Sequence, residues 1–234
     1  MTDSSTQGIE TETVHQGPLT KGAAVTCIES VTLEVPDPTS ADAFYSAAFG
    51  LGTRLGLRSA AEPTSGFRGF TLSLVVSQPA TVDELVGAAL DAGATSLKVA
   101  KKGVWGYGGV VSAPDGTIWK VATSSKKDTG PATRQIDQIV LLLGVADVGA
   151  SRRFYVERGL AVARSFGRKY VEFDSPSTQV KMALYGRRAL AKDAGVSPDG
   201  TGSHRIVIGG DGGAFTDPDG FAWETASIGS MGLA

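Results

Sequence analysis

The chain has 234 residues, enough for one large domain or two small ones, and 41% hydrophobic with 20% charged residues describes a folded chain that buries a core. Its 22 lysines and arginines stand against 24 acids, so no global field favours nucleic acid or anionic lipid. The single cysteine excludes an intrachain disulfide framework, and no apolar run approaches the ~20 residues of a membrane helix.

Residues 1–25 are polar and acidic, without the basic and apolar regions of a signal peptide, and read as a disordered arm. The expectation is a soluble cytoplasmic protein. An alternating strand at Val31–Val35 leads through Pro36-Asp37 into a helix that carries Phe44-Tyr45 and ends at Gly50-Leu51-Gly52. A second strand spans Phe70–Val76. An amphipathic helix follows from Thr81 to Ala92, with Val82, Leu85, Val86 and Ala89 on one face and Gly93 as its cap. Pro114-Asp115-Gly116 makes a tight turn, and a short strand then presents Trp119 and Lys120 on opposite faces.

A polar stretch at 124–133 reads as a linker, after which the pattern repeats. Ile139–Leu143 is a strand, Ala146-Asp147 precedes a helix with Phe154-Tyr155, and Gly159-Leu160 ends it. Further strands are expected at Leu160–Ser165, Tyr170–Phe173 and Val180–Tyr185. Ser203–Ile208 runs through Gly209–Gly213 into the turn Asp217-Pro218-Asp219-Gly220 and the strand of Trp223 and Glu224, with no room for a helix between. The fold class is therefore α+β, in two units at 26–123 and 134–228. The glycine clusters lack the Lys-Ser/Thr of a phosphate loop, and Ser30 lacks identifiable triad partners.

Opening strand, Asp, a helix with Phe-Tyr and Gly-Leu, and a closing Pro-Asp-Gly-x-x-Trp, twice in register, resemble the vicinal-oxygen-chelate superfamily. This superfamily includes glyoxalase I, bleomycin-resistance proteins and extradiol dioxygenases. The resemblance covers about Cys27 to Ala226 and implies tandem glyoxalase-like domains built from βαβββ modules, some of them shortened. Each domain would enclose a cup for a small molecule, with metal ligands on the first and last strands of its modules.

Mapped onto that pattern, the first copy offers Ser30, a position near Phe70, and Lys120, a cation that repels a divalent ion. Lys120 reads as an ion-paired rim residue or as the anchor of an anionic ligand. The second copy keeps His204 and Glu224, with Gln138 or Val140 on its opening strand and Ala183 at the middle carboxylate position. Gln138, His204 and Glu224 would form a facial set with a glutamine in place of one histidine, a weaker ligand. The bland readings are a hydrogen-bonded His204 and a Glu224 paired with Arg205.

Two functions follow from the resemblance. The first is a bleomycin-resistance-like small-molecule-binding protein with degenerate metal sites and no cofactor, with Gln138, Tyr185, His204, Glu224 and Lys120 as ligand-binding candidates. Val140 and Leu142 share the face of Gln138. The alternative is a divalent-metal-dependent lyase, isomerase or dioxygenase acting through the second copy, using Fe, Mn, Ni or Zn. Shortened modules leave sheet edges to cover, which calls for tight pairing of the two units and leaves a homodimer open.

Overall fold

The computed structural model describes residues 27–60, 62–104, 106–175 and 180–225; the expected arm at 1–25 lies outside the described residues. The first half contains β1 (Ile28–Val35), α1 (Pro38–Phe49), β2 (Gly56–Ser59), β3 (Thr64–Gly66), β4 (Phe70–Val75), α2 (Pro79–Asp91), β5 (Thr95–Gly103), β6 (Gly106–Ser112) and β7 (Ile118–Thr123). The second contains β8 (Gln138–Val145), α3 (Val148–Glu157), β9 (Val162–Phe166), β10 (Tyr170–Phe173), β11 (Val180–Gly186), α4 (Arg187–Ala194), β12 (Gly200–Gly202), β13 (Ile206–Gly210), β14 (Phe215–Thr216) and β15 (Ala222–Thr225).

The two aspartates after the opening strands are helix caps. Asp37 Oδ1 accepts from the backbone of Thr39 and Ser40 at 3.0 and 3.3 Å, and Asp147 Oδ1 accepts from Gly149 and Ala150 at 2.8 and 3.1 Å. Each satisfies N–H groups that the first helical turn leaves without partners. Gly50, at φ 63°, closes α1 in the left-handed conformation that suits glycine. Pro79 opens α2 two residues before the expected start, where a missing N–H costs nothing. Helix α4 was not expected. It has only three buried apolar residues, Leu190, Ala191 and Ala194, too few to make periodicity stand out.

The sheets cut across the two units expected at 26–123 and 134–228. An eight-stranded sheet, ordered β5-β6-β7-β4-β8-β11-β10-β9, joins the end of the first half to the start of the second. Its seam is the antiparallel pair β4–β8, registered from Phe70↔Leu143 to Val75↔Gln138. A five-stranded sheet, ordered β14-β15-β13-β1-β2, joins the two ends of the chain, with β1 antiparallel to β13 through Val31↔Ile208. A small ribbon of β3 and β12 also links the halves. The two inner modules are complete βαβββ units. The outer two are shortened: one has a single strand beside β1 after its helix, and the other passes from β13 to β14 without a helix.

One continuous core lies against both sheets and takes in α1, α2 and α3. It contains Leu33 and Ile208 from the five-stranded sheet and Leu72, Leu141 and Met182 from the eight-stranded sheet. The stretch at 124–133 is tied down rather than loose. Gln78 Oε1 accepts from the backbone of Thr129 and Gly130 at 2.7 and 3.0 Å, while its Nε2 donates to Pro131 O at 2.7 Å. Among the described residues no helix is long and apolar enough to cross a membrane.

Candidate functional site

The repeated Phe-Tyr and Trp residues build two matching clamps. Tyr45 Oη donates to Asp115 Oδ2 at 2.7 Å and accepts from Trp119 Nε1 at 3.4 Å. Tyr155 Oη donates to Asp217 Oδ2 at 2.6 Å and accepts from Trp223 Nε1 at 3.2 Å. The second clamp uses the first aspartate of its turn, because Asp217 stands where the first copy has Ala113. Asp219, the counterpart of Asp115, instead accepts from Ala146 N and Ser151 Oγ at 2.7 and 2.8 Å. Burial, then the adjacent carboxylate, pushes both phenols well above the ordinary tyrosine range. They stay protonated and hold helix to strand.

The sequence-derived site residues divide between the sheets. Gln138, Tyr185 and Lys120 belong to the eight-stranded sheet and Glu224 to the five-stranded one, while His204 precedes β13. His204 Nδ1 faces Arg68 O, its Nε2 lies 3.0 Å from Asp219 O, and its ring stacks on Phe221 with centroids 4.0 Å apart. Both ring nitrogens are thus turned toward backbone carbonyls. Glu224 pairs with Arg58 at 3.1 Å, and Arg58 in turn holds Glu34 at 2.7 Å. The pairing of Glu224 with Arg205 considered from the sequence is replaced by this three-member chain. Arg205 instead donates Nη1 to Ala60 O at 2.6 Å.

The eight-stranded sheet has two distinct faces because side chains alternate. Leu72, Leu74, Val121, Leu141, Met182 and Leu184 enter the main core, and so does Phe70, which was expected near a ligand position. The opposite, inner face carries Ser73, Lys120, Gln138, Val140, Lys181 and Tyr185. Across the sheet, Ser73 pairs in register with Lys120 on one side and Val140 on the other, and Val140 pairs with Lys181.

Helix α4 lies on part of this inner face. Leu190, Ala191 and Ala194 pack with Val110, Ile118, Leu142 and Tyr185 in a second apolar cluster. Two lysines secure its end. Lys120 Nζ reaches Asp193 Oδ2 at 2.7 Å, and Lys98 Nζ donates to the carbonyls of Lys192 and Asp193, each at 2.7 Å. A cation at a helix C-terminus also meets the negative end of the helix dipole. Lys120 is thus an ion-paired residue that holds the covering helix.

The rest of the inner face is aromatic and charged. Phe166, Tyr170 and Tyr185 form a row, with centroids 5.9 and 6.1 Å apart, and Phe166 is 60% exposed. Beside them Glu172, its side chain 11% exposed, accepts from Arg164 at 2.7 Å and Tyr170 Oη at 3.0 Å, with Lys181 at 3.9 Å. Burial works to raise Glu172, but the hydrogen bonds from Arg164 and Tyr170 and the two cations outweigh it and hold the carboxyl below its ordinary value.

A divalent metal does not fit these residues. The inner row of the large sheet offers two lysines, a serine and a valine. Gln138 is separated from Glu224 by the division into two sheets, and Glu224 and His204 already have partners. Among the described residues, no group of three His, Cys, Asp or Glu is arranged to hold a metal ion. The split was invisible from the sequence because His204 and Glu224 sit at plausible spacings, whereas strand pairing is decided by contacts across the whole chain. The aromatic row was missed because only Tyr185 was singled out; alternation along β9 and β10 would have added Phe166 and Tyr170.

No family model and no curated protein sequence matches the chain. Solved structures do. Glyoxalase I from Zea mays aligns with 84% of this chain and 90% of its own at 14% identity, with a TM-score of 0.55. A variant of the same maize enzyme aligns with 84% of this chain and 92% of its own at 15% identity, with a TM-score of 0.53. A putative dioxygenase from Bacillus subtilis, at 12% identity, covers 84% of this chain and 73% of its own with a TM-score of 0.49. At such identities the likeness concerns the fold. With its βαβββ modules, paired sheets and repeated closing turn, this chain has the fold of the vicinal-oxygen-chelate superfamily.

Proposed function

We propose that the chain is a metal-independent binding protein for a small, partly aromatic molecule, seated on the inner face of the eight-stranded sheet. The observation that carries this reading is the row Phe166, Tyr170 and Tyr185 beside the Arg164–Glu172–Lys181 group, on the part of the face next to α4. Rings supply large contact area at low rotamer cost, and a few fixed polar groups orient what they hold. Lys181 and the amide of Gln138 supply donors on the same face. The binding reading is preferred to the metal-dependent lyase, isomerase or dioxygenase because the positions that would hold the ion carry cations, or side chains with partners already in place.

The test is fluorescence titration of the full chain with a panel of small aromatic compounds, phenol and catechol among them. At least one compound should saturate, and Tyr170→Ala or Phe166→Ala should weaken it by roughly threefold to tenfold, the scale of one lost ring contact. A panel in which nothing saturates, or in which binding ignores both substitutions, removes the reading.

A further inference from the structure

Outside both inner faces lies a cleft of ≈ 540 Å³, bordered by Phe67, Arg68, Arg187, Pro198, Ser203 and His204. Strand β12 of the small ribbon forms one wall. Backbones approach closely here: a Cβ on Gly69, at φ +86°, would collide with the Arg187 guanidinium and crowd His204. The cleft is therefore an assembled junction, where the loop before β4 meets the start of α4 and the loop before β13.

Three guanidinium groups meet around this junction with no carboxylate in ion-pair range among the described residues. Arg187 donates Nε to Pro198 O at 3.1 Å and Nη2 to Phe67 O at 2.7 Å, and it lies over the Phe67 ring at 5.3 Å. Arg68 donates Nη2 to Asp115 O, while its Nη1 is buried without a hydrogen-bond partner. Arg205, 6% exposed, has an unpartnered buried Nε. It is also the one non-glycine residue at positive φ among the described residues, at 59°. The acid bordering the cleft, Asp199, is bound to Ser197 Oγ at 2.9 Å.

Carbonyl oxygens satisfy some of these N–H groups, and the Asp115 carboxylate acts on Arg68 only from beyond ion-pair range, while Arg205 opposes it. Burying Arg205 without an ion pair beside the half-buried Arg68 and Arg187 costs stability, and the orphaned donors on Arg68 and Arg205 point to an absent acceptor. We infer that the cleft binds a phosphate-class oxyanion between Arg187 and Arg68, with Arg205 contributing charge from behind. Guanidinium forks match the oxygens of such a group, and a dianion offsets several cations where a single carboxylate would not. The anion is either free phosphate or the phosphoryl end of an organic monoester; the recognising chemistry is the same. This site is separate from the aromatic row, so either proposal can fail alone.

The experiment is calorimetric titration of the full chain with inorganic phosphate, and in parallel with glycerol phosphate and acetate. Saturable one-site binding of phosphate is expected, with acetate not competing. Tighter binding of glycerol phosphate supports an organic monoester as the ligand, and equal or weaker binding supports free phosphate. Arg187→Met should weaken phosphate by about tenfold or more, and Arg187→Lys, which keeps the charge but loses the fork, by less. Arg58→Met, which removes a cation on the five-stranded sheet, should leave the affinity unchanged. Circular dichroism confirms folding of each variant, and Arg187→Lys carries the test if Arg187→Met does not fold. The inference is overturned if folded wild-type chain shows no saturable phosphate binding. Unaltered affinity in the Arg187 variants, or an equal loss in Arg58→Met, overturns it too.

Discussion

The two sheets treat their inner faces in opposite ways. On the eight-stranded sheet a helix of the chain itself, α4, covers part of the face, and the open remainder presents three rings around a buried carboxylate. On the five-stranded sheet Glu34, Arg58 and Glu224 link into a chain of ion pairs across the face. The acidic residue best placed to be a metal ligand is thus neutralised by a side chain arriving from β2, a strand of the opposite sequence half. The two modules within one sequence half are not partners in the sheets; each pairs with a module of the other half. A ligand set read along one half was consequently assembled from pieces of two surfaces.

The comparison can be broken most strongly at α4. Leu190→Ala should cost about 2–5 kcal/mol, because it leaves a void between the helix and the large sheet. Urea denaturation checks this, and a loss below 1 kcal/mol would mean that α4 is not a fixed cover. Next come the clamps. Tyr155→Phe should cost about 1–3 kcal/mol, more than Tyr45→Phe, because Asp217 is only 5% exposed whereas Asp115 is half-buried. Equal losses would show that the two copies are energetically interchangeable.

Alkaline pH sharpens the same contrast. The buried phenols keep their protons in the folded state beyond the range where unfolded tyrosines, near pH ~10, release them. Their stabilisation is full below that value and is lost as pH rises through the higher folded values. Stability followed from pH ~9 upward should therefore fall, and less steeply in Tyr155→Phe. The smallest effect is expected at Arg58. All its ion pairs are part-exposed, so Arg58→Met should change stability by less than about 1 kcal/mol.

Much of this fold was legible in the sequence. The two Asp-capped helices, the Phe-Tyr pairs and the closing turns are local signals, and the first and last strands of each half fall where alternation put them. The pairing of β1 with β13 and of β4 with β8 was not legible. Register between strands far apart in sequence depends on which apolar faces and edges remain free once every module has folded. Helix α4 escaped for the opposite reason, being too short for its period to show. Of the candidate site, Tyr185 and Gln138 share one face as alternation predicts, whereas His204 owes its place to two carbonyls supplied by distant turns.

The proposal of metal-independent binding implies that the described residues gather no divalent metal, and equilibrium dialysis of the full chain against Fe(II), Mn(II), Ni(II) and Zn(II), followed by elemental analysis, tests it directly. The account predicts no stoichiometric metal in the wild-type chain. One equivalent retained by the wild type and lost in Glu224→Gln would contradict it.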